Sequence, residues 1–452
     1  MNDSNIIFFF CYVSFILFAG CSISERVNFV ETEKTFVEID EESPLLIDGF
    51  DQTEIIDSGV RLESYIPLDD SEYPYAGIPR VVIETDSRQK VEDVVTEVPA
   101  RLQIWGQRRP ESKIMSLTIR GRGNTSWNMP KKSYKIELAN KQSMLGMPAN
   151  RDWALISNYA DKTLMKNYLM YHFANQIGSY YSPKCEFAEL YLNGDYLGVY
   201  LVTETIKIGK NRINIPENAN SYIVEVDAKL REGEQFVYSD VIPTTKGRKD
   251  FRIHAPKNAS EEQLLVIQDY IRSFEIFLKD VKSGKDNDLE RWIDVNEYIK
   301  YYWIQEFSGN ADAAFYTSVF FSWIRDDVIK MGPVWDFDIA FGGHIKENLS
   351  LSQGWYIKQI YWNRFLFKDS VMSNAVYSFW MNHREKFKGT LEMIDSVAFV
   401  LLPAAENNFK RWTILQRTDA YCPKSFESYD AAVDYLKKWI LERYDWINAQ
   451  YE

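Results

Sequence analysis

The chain has 452 residues and a net charge of −13, with 46% hydrophobic and 15% aromatic residues. This length suits one large domain or two to three smaller ones, and the apolar content is sufficient for a packed core, which excludes a disordered protein. The acidic balance argues against general binding to nucleic acid, because that function needs a basic face. The net negative charge is still compatible with an anionic ligand in one locally basic pocket.

The first residues have the pattern of an export signal. The run IIFFFCYVSFILFAGC (6–21) is apolar and ends in small residues and a cysteine, and its length fits a signal-peptide core better than a structural helix. FAGC is similar to a lipobox, so we predict a signal peptide over residues 1–20 and lipidation of Cys21. A plain transmembrane anchor is the alternative. Both interpretations place the domain outside the cytoplasm, in the cell envelope and at a bacterial membrane.

Residues 21–75 are acidic with few regular signals, and we predict that they form a tether; a small edge strand is the alternative. Two cysteines then remain for the domain, Cys185 and Cys422. One disulfide in an oxidising compartment and two free thiols are both compatible with a single pair. The sequence has four histidines and neither a CxxC nor an HExxH motif, so a zinc site is not expected.

From residue 78 the pattern becomes regular. Alternating apolar and polar residues predict strands in RLQIWG, IMSLTIRGRG, KKSYKIEL and SYIVEVDAK, and the Asn-Gly pair in YLNGDYLGVYLV predicts a hairpin. Helical spacing follows in DKTLMKNYLMYHFANQIG, with Asp161 as N-cap and Gly178 after the last turn. It recurs in EEQLLVIQDYIRSFEIFLKDVKSG, DVNEYIKYYWIQEF and DAAVDYLKKWILERYDWINAQY. TSVFFSW and IKMGPVWDFDIAFGG resemble a second hairpin. Strands dominate residues 78–230 and helices dominate 260–452, which predicts an α+β protein with a cleft between two halves.

The segment TIRGRGNTSWNMPKKSYKIEL (118–138) concentrates positive charge in a glycine-containing loop. Glycines let backbone amides approach an anion closely, and strand alternation points the two lysines that follow to opposite faces. Protein kinases hold nucleotide phosphates with a similar layout. A sugar-binding loop and an ordinary hairpin with basic flanks are the alternatives. The candidate phosphate contacts of this loop are Arg120, Gly121, Arg122, Gly123, Asn124 and Lys132.

Acidic residues in three further segments complete the candidate chemistry. Asp336 and Asp338 in WDFDIAFGG are two residues apart, and a divalent cation would relieve the repulsion between two close carboxylates. A capping pair and a glycosidase carboxylate pair are the alternatives, the latter needing opposed carboxyls. Asn310 and Asp312 in GNADAAF fit metal binding and hydroxyl positioning, and equally fit capping. Glu204 ends an apolar strand, where burial would demand a cationic partner such as Lys132.

Taken in order along the chain, these motifs resemble the CotH family of spore-coat-protein-H-like atypical kinases. RGRGNTSW, KKSYKIEL, LISNYADKTLMKNYL, YLNGDYLGVYLVTETI and GPVWDFDIAFGG carry the similarity, which covers roughly residues 78–400. The family implies a divergent protein-kinase-like fold, here a sheet-rich N-lobe at about 76–230 and a helical C-lobe at about 231–452. It also implies the use of ATP with Mg²⁺ or Mn²⁺ to phosphorylate protein hydroxyls, and an exported or surface location.

The resemblance assigns roles by position. Lys132 corresponds to the lysine that contacts phosphate, with Glu204 as its partner, and Asp312 to the catalytic-loop aspartate that accepts the substrate hydroxyl proton. The metal ligands correspond to Asp336, Asp338 and Asn310. Three further residues support the wall of the site, namely Asn158, Asp161 and Asn167.

The chain departs from the family pattern at three positions, which are occupied by Gly309, Lys166 and Ser318. The expected function is an ATP- and metal-dependent Ser/Thr protein kinase with a protein acceptor, attached to the membrane by a lipid. The alternatives are a catalytically weak or inactive surface protein that binds glycan or protein partners, and a glycoside-processing enzyme.

Overall fold

Seven strands close into a barrel in the computed structural model, which describes residues 65–230 and 232–452. Neighbouring strands run antiparallel in the order β1-β2-β3-β4-β5-β7-β6, and a parallel pairing of β1 with β6 closes the ring. The barrel encloses an apolar core of its own. Its strands are β1 (Arg80–Thr85), β2 (Val98–Trp105), β3 (Met115–Arg122), β4 (Ser133–Met144), β5 (Met147–Ile156), β6 (Cys185–Leu192) and β7 (Asp195–Glu204).

Local sequence explains the connections of the barrel. The turn between β6 and β7 consists of Asn193 and Gly194, both in the left-handed region with φ of 54° and 87°. That conformation matches the twist of a two-residue hairpin and confirms the predicted one. Between β3 and β4 lies the short helix α1 (Thr125–Asn128), and between β5 and β6 lies α2 (Lys166–Gln176).

A second, antiparallel sheet lies beyond the barrel in the order β12-β11-β8-β10-β9. Cross-strand partners show which residues share a face: Glu225 pairs with Arg252, and Arg252 with Phe236. The opposite face is apolar and packs with the helix Glu261–Asp280 into the main core. The strands are β8 (Ser221–Val226), β9 (Phe236–Ser239), β10 (Lys249–Ala255), β11 (Val319–Ile324) and β12 (Lys330–Met331).

Helices make up most of the rest of the second half, and the three segments with predicted helical spacing correspond to the helices Glu261–Asp280, Val295–Phe307 and Tyr429–Ala449. Ser260 and Gln263 form a capping box at the start of α3, and Asp294 caps α4. Gly178 has the predicted left-handed φ of 75°, but α2 begins at Lys166, whose N–H donates to the Asp161 carboxylate at 2.8 Å. The helices are α3 (Glu261–Asp280), α4 (Val295–Phe307), α5 (Asn363–Leu366), α6 (Ser370–Lys388), α7 (Thr390–Arg411) and α8 (Tyr429–Ala449).

The predicted α+β class is correct, but the predicted kinase-like bilobal fold is wrong. The first half closes into a seven-stranded barrel, and the supposed lobe boundary at 230/231 cuts through the second sheet, whose β8 pairs with both β10 and β11. Alternation in sequence does not distinguish an open sheet from a closed one. Closure depends on the pairing of β1 with β6, which are about a hundred residues apart.

Several predictions concern the ends of the chain and its cysteines. The signal peptide, Cys21 and most of the tether lie outside the described residues. Among residues 65–230 and 232–452, none of the helices has the length and apolar character that a bilayer crossing requires. Cys185 and Cys422 are both free thiols and both buried.

A buried ion pair joins α4 to α8. The Glu306 carboxylate and the Arg443 guanidinium are fully inaccessible and lie 2.7 Å apart. Glu306 also accepts three backbone N–H groups at 2.6–3.1 Å, from Tyr356, Ile357 and Lys358. The pair therefore fixes the connection after the second sheet as well as the two helices.

We expect Arg443→Met to lower the free energy of unfolding by about 3 kcal/mol, because it leaves a buried carboxylate without its cation. Chemical denaturation measures the change. The matched control is Lys438→Met, which removes an exposed lysine 3.9 Å from Glu442 on α8 and should change stability by less than about 1 kcal/mol. Equal effects of the two substitutions would contradict the anchoring role of the buried pair.

Candidate functional site

The pairing of β8 with β11 brings acidic residues together. Val226 pairs with Val319, so Asp227 lies beside the two residues that precede β11. Asp227 is 6% exposed and accepts a hydrogen bond from Thr317 Oγ1 at 3.1 Å. Ser318 Oγ donates to Asp336 Oδ2 at 3.2 Å. The two carboxylates are thus held on either side of one short segment.

A 3₁₀ turn, Ala311–Ala313, presents Asp312 to the same place. Asn310 organises the turn, since its Oδ1 accepts from the Asp312 N–H at 3.3 Å. The Asn310 side-chain amide donates to Gln305 Oε1 at 3.0 Å and to the Asp336 carbonyl at 3.1 Å. The side chain of Asn310 therefore acts as a connector between α4 and residue 336, which leaves no support for its predicted place among the metal ligands.

The start of α2 holds the other side of the WDFD segment. Asn167 accepts from the Phe337 N–H at 2.8 Å, and its amide donates to Asp338 Oδ1. Lys166 Nζ donates to the carbonyls of Asp338 and Ala340 at 3.2 and 2.9 Å. Asp161 fixes the turn before the helix by accepting from Thr163 and Lys166.

The backbone is strained where the carboxylates meet. Asp336 and Ser318 have φ of 63° and 57°, and Phe315 has 55°. Left-handed backbone at non-glycine residues is sparsely populated and clusters at functional sites. WDFD is consequently not part of a strand, and the predicted second hairpin is reduced to β11 with the two-residue β12.

Burial and mutual repulsion raise the pKa values of the clustered carboxylates. For Asp312, burial followed by the charges of Asp336 and Asp227 raises the pKa to about 7. For Asp338, burial followed by the charges of Asp336 and Asp161 raises the pKa to about 7. Burial also raises the pKa of Asp336, against the opposing effect of the Arg122 charge. The four acids Asp227, Asp312, Asp336 and Asp338 are called the acid cluster below.

The acid cluster fits a divalent cation in its chemistry. Asp336 and Asp338 each have one carboxylate oxygen engaged by Ser318 or Asn167, and the other accepts no hydrogen bond from the described residues. The part of the chain that the structure describes holds no group of three His, Cys, Asp or Glu side chains arranged around a common metal position. Mg²⁺ commonly uses only one or two carboxylates together with substrate phosphates, so two free oxygens are sufficient for it.

Comparisons with known proteins identify the family of the chain. The sequence model of the family described as CotH kinase protein matches residues 119–447, which is more than half of the chain. The chain belongs to this family. It is also 26% identical over 265 residues to the inner spore coat protein H of Bacillus subtilis (strain 168), covering 58% of this chain and 67% of that protein.

In this CotH chain, the glycine loop contributes one cation to the acid cluster. Gly121 accommodates the Trp127 ring, which a Cβ at position 121 would approach to 2.5 Å, and its N–H donates to the Asp93 carbonyl at 2.7 Å. Arg120 donates to the Val94 carbonyl at 2.6 Å. Gly121 and Arg120 therefore serve the packing of the loop rather than the predicted anion cradle.

Arg122 is the residue of this loop whose charge acts on Asp336. Gly123, with a φ of 101°, and Asn124, the N-cap residue, lead from Arg122 into α1. The side chain of Lys229 donates to Thr125 of α1 at 3.5 Å, and its N–H donates to Asp227 at 2.9 Å. The hairpin is therefore tied to the acid cluster at two points.

The structure does not bring Lys132 to the acid cluster. Lys132 Nζ donates to the Trp127 carbonyl at 2.6 Å, and Lys131 is buried, donating to the Val199 carbonyl at 2.6 Å and to Asn408 at 2.8 Å. The predicted pairing of Glu204 with Lys132 is wrong, because Glu204 is buried in an ion pair with Arg212. The two lysines precede β4, so strand alternation does not place them; Lys131 is buried, and Lys132 bonds to the loop between β3 and β4.

Sequence reasoning missed Asp227, Glu225 and Arg252. Arg252 Nη1 lies 3.1 Å from Glu225 and 3.7 Å from Asp227, so its charge offsets part of the negative charge of these two carboxylates. The available signal was the acid at every second position in VEVD, which places both carboxylates on one face of a strand. Nothing local in the sequence marks Glu225 and Asp227 as site residues, because only the pairing of β8 with β11 places Asp227 beside the segment that bonds to Asp336.

We expect Asp312→Asn to stabilise the protein at pH 8 and not at pH 4. The carboxyl has a pKa of about 7 when folded and 3.8 as its ordinary value, so the folded state binds the proton more tightly and loses stability as pH rises through this window. Removing the charge should add about 2 kcal/mol at pH 8. Denaturant unfolding at both pH values measures it, with the exposed Asp434→Asn as control. An equal effect at pH 4 and pH 8 would contradict the repulsion.

Proposed function

We propose that this protein is a metal-dependent phosphotransferase that moves the γ-phosphoryl group of ATP to a serine or threonine hydroxyl of a protein. The observation that carries the proposal is the gathering of Asp312, Asp336 and Asp338 around one segment: Asn310 joins the Asp312 turn to the Asp336 carbonyl, and the charge of Asp336 raises the pKa of both other carboxyls. The family description and the similarity to a spore coat protein support it. The proposal depends on the site and not on a kinase-like fold.

Asp312 is suited to act as the general base. No donor among the described residues forms a hydrogen bond with its carboxylate, so the oxygens are available to an acceptor hydroxyl. Its pKa of about 7 lies near the pH at which such an enzyme works, which favours proton uptake from the hydroxyl as the phosphoryl group departs from ATP. The positive charge of Lys229 opposes the rise in the pKa of Asp312.

Asp336 and Asp338 would hold Mg²⁺ or Mn²⁺ through their free oxygens. The bound ion supplies positive charge that offsets the phosphate oxygens and the clustered carboxylates. Asn167 and Lys166 orient Asp338 and the following turn, and Ser318 orients Asp336. The chain thereby positions its two proposed ligands from two separate places, α2 and the residue before β11, which limits their motion.

The proposed location is the cell envelope. The predicted signal peptide and lipid attachment at Cys21 would place the domain outside the cytoplasm, and the matched Bacillus protein is a spore coat component. A protein acceptor at the same surface fits this location. A surface protein that binds glycan or protein partners without catalysis is the alternative that the following experiment separates.

We expect Asp312→Asn to lower phosphoryl transfer by about 10²–10⁴-fold, because the general base is removed. Transfer is measured as radiolabelled phosphate from ATP, with Mg²⁺ or Mn²⁺, into the protein itself and into a panel of Ser/Thr-rich proteins. Asp434→Asn is the control and should retain the wild-type rate. A wild-type protein that transfers no phosphate to any member of the panel would support the non-catalytic alternative, and an active Asp312→Asn would remove Asp312 from the mechanism.

Metal binding is tested separately by thermal unfolding. We expect Mn²⁺ with ADP to raise the melting temperature of the wild type. A ligand concentration one hundred times Kd would stabilise the folded state by about 2.7 kcal/mol. Asp336→Asn should lose this increase, since it lacks a proposed ligand, whereas Asp434→Asn should keep it. An unchanged ligand-dependent increase in Asp336→Asn would place the cation elsewhere.

A further inference from the structure

Three side chains from separate elements form a wall beside the acid cluster. The guanidinium carbon of Arg122 lies 4.9 Å from the centroid of the Trp335 ring. Trp335 and Tyr171 are stacked, with centroids 5.5 Å apart and an interplanar angle of 21°. Trp335 directly precedes Asp336 in the chain, so the stack borders the proposed metal ligands. Arg122 ends β3 and Tyr171 lies in α2, so the wall joins the barrel to the helix.

The hydrogen-bond donors of this wall are unused. Tyr171 is 0% exposed, and its hydroxyl donates to no acceptor among the described residues. The backbone N–H of Asp336 lies near the hydroxyl oxygen, which leaves the hydroxyl proton available. The Arg122 guanidinium likewise forms neither a hydrogen bond nor an ion pair with any residue of 65–230 or 232–452. Burial lowers the pKa of Arg122, and the Asp336 carboxylate opposes that decrease.

Unused donors at such a position need a physical explanation. A buried hydroxyl without a partner costs about 1–3 kcal/mol, and native proteins leave few of them. An arginine that stacks on an aromatic ring keeps its planar fork free for two oxygens of one phosphate or carboxylate group. A hydroxyl and a guanidinium that border the same space therefore select an anion with several oxygens.

We infer that Arg122 and Tyr171 form a phosphate-binding subsite, in which the guanidinium and the phenolic hydroxyl donate to oxygens of the terminal phosphate of a nucleoside triphosphate. The inference rests on the proposed function, and it adds Tyr171, which no motif marked. The hydroxyl has no acceptor among the described residues, so the phosphate would supply one. Trp335 holds both donors at a fixed position relative to Asp336.

The test compares Tyr171→Phe with Tyr302→Phe. Tyr302 is also fully buried with an unpartnered hydroxyl, but it packs against Trp303 and Phe367, in another part of the core. The dissociation constants of magnesium pyrophosphate and of MgATP are measured by titration calorimetry, and stability without ligand by denaturation. We expect Tyr171→Phe to weaken both ligands about 10-fold, with unchanged or higher stability, and Tyr302→Phe to bind both as the wild type does.

Each outcome separates the subsite from the proposed function. Weaker binding in Tyr171→Phe with no phosphoryl transfer by the wild type would keep the subsite and remove the kinase activity. Wild-type affinity in Tyr171→Phe, or a wild type that binds neither ligand, would overturn the subsite. If Tyr171→Phe does not fold, Arg122→Lys decides, because it keeps the charge and loses the fork; about 10-fold weaker binding is expected, and unchanged binding would overturn the proposal.

Discussion

The candidate site depends on the register of β8 against β11. Val226 opposite Val319 places Asp227 beside Thr317 and Ser318, and Ser318 in turn holds Asp336. A shift of one residue would turn the acidic face of β8 toward the apolar core, since side chains alternate along a strand. On its other edge β8 pairs with β10, which makes Arg252 the cross-strand neighbour of Glu225. The two ladders of β8 thus determine which charges meet.

Gathering these charges is unfavourable, and the surrounding packing holds them in place. Burial and repulsion raise the carboxyl pKa values of Asp312 and Asp338 to about 7, and the backbone at Asp336 is strained. The end of α4 opposes this: Glu306 is fixed by Arg443, and the Ser308 carbonyl accepts from the Phe341 N–H at 2.8 Å. Remote buried contacts stabilise what the site destabilises, as expected where function and stability conflict.

Local features were predictable from sequence, and long-range pairings were not. Caps and turns at Ser260, Asp294 and Asn193 follow from side chains that bond to nearby backbone, so a short window contains the information. The acids of WDFD and GNAD were found because their spacing is local as well. The barrel closes by the pairing of β1 with β6, and Arg122 rather than Lys132 lies near Asp336. Both features depend on contacts between distant segments, which the local periodicity of the sequence does not predict.

The two kinds of group in the site have complementary requirements. A lone anion at Arg122 and Tyr171 would face the carboxylates of Asp336 and Asp338 at close range and be repelled. A lone divalent cation would relieve the carboxylates and leave the buried Tyr171 hydroxyl without a partner. A polyphosphate that arrives with its counterion satisfies both, because its oxygens accept from the two donors while the cation neutralises the acids. This joint requirement is the physical reason to prefer a metal–nucleotide complex over a sugar, which would neutralise neither set of charges.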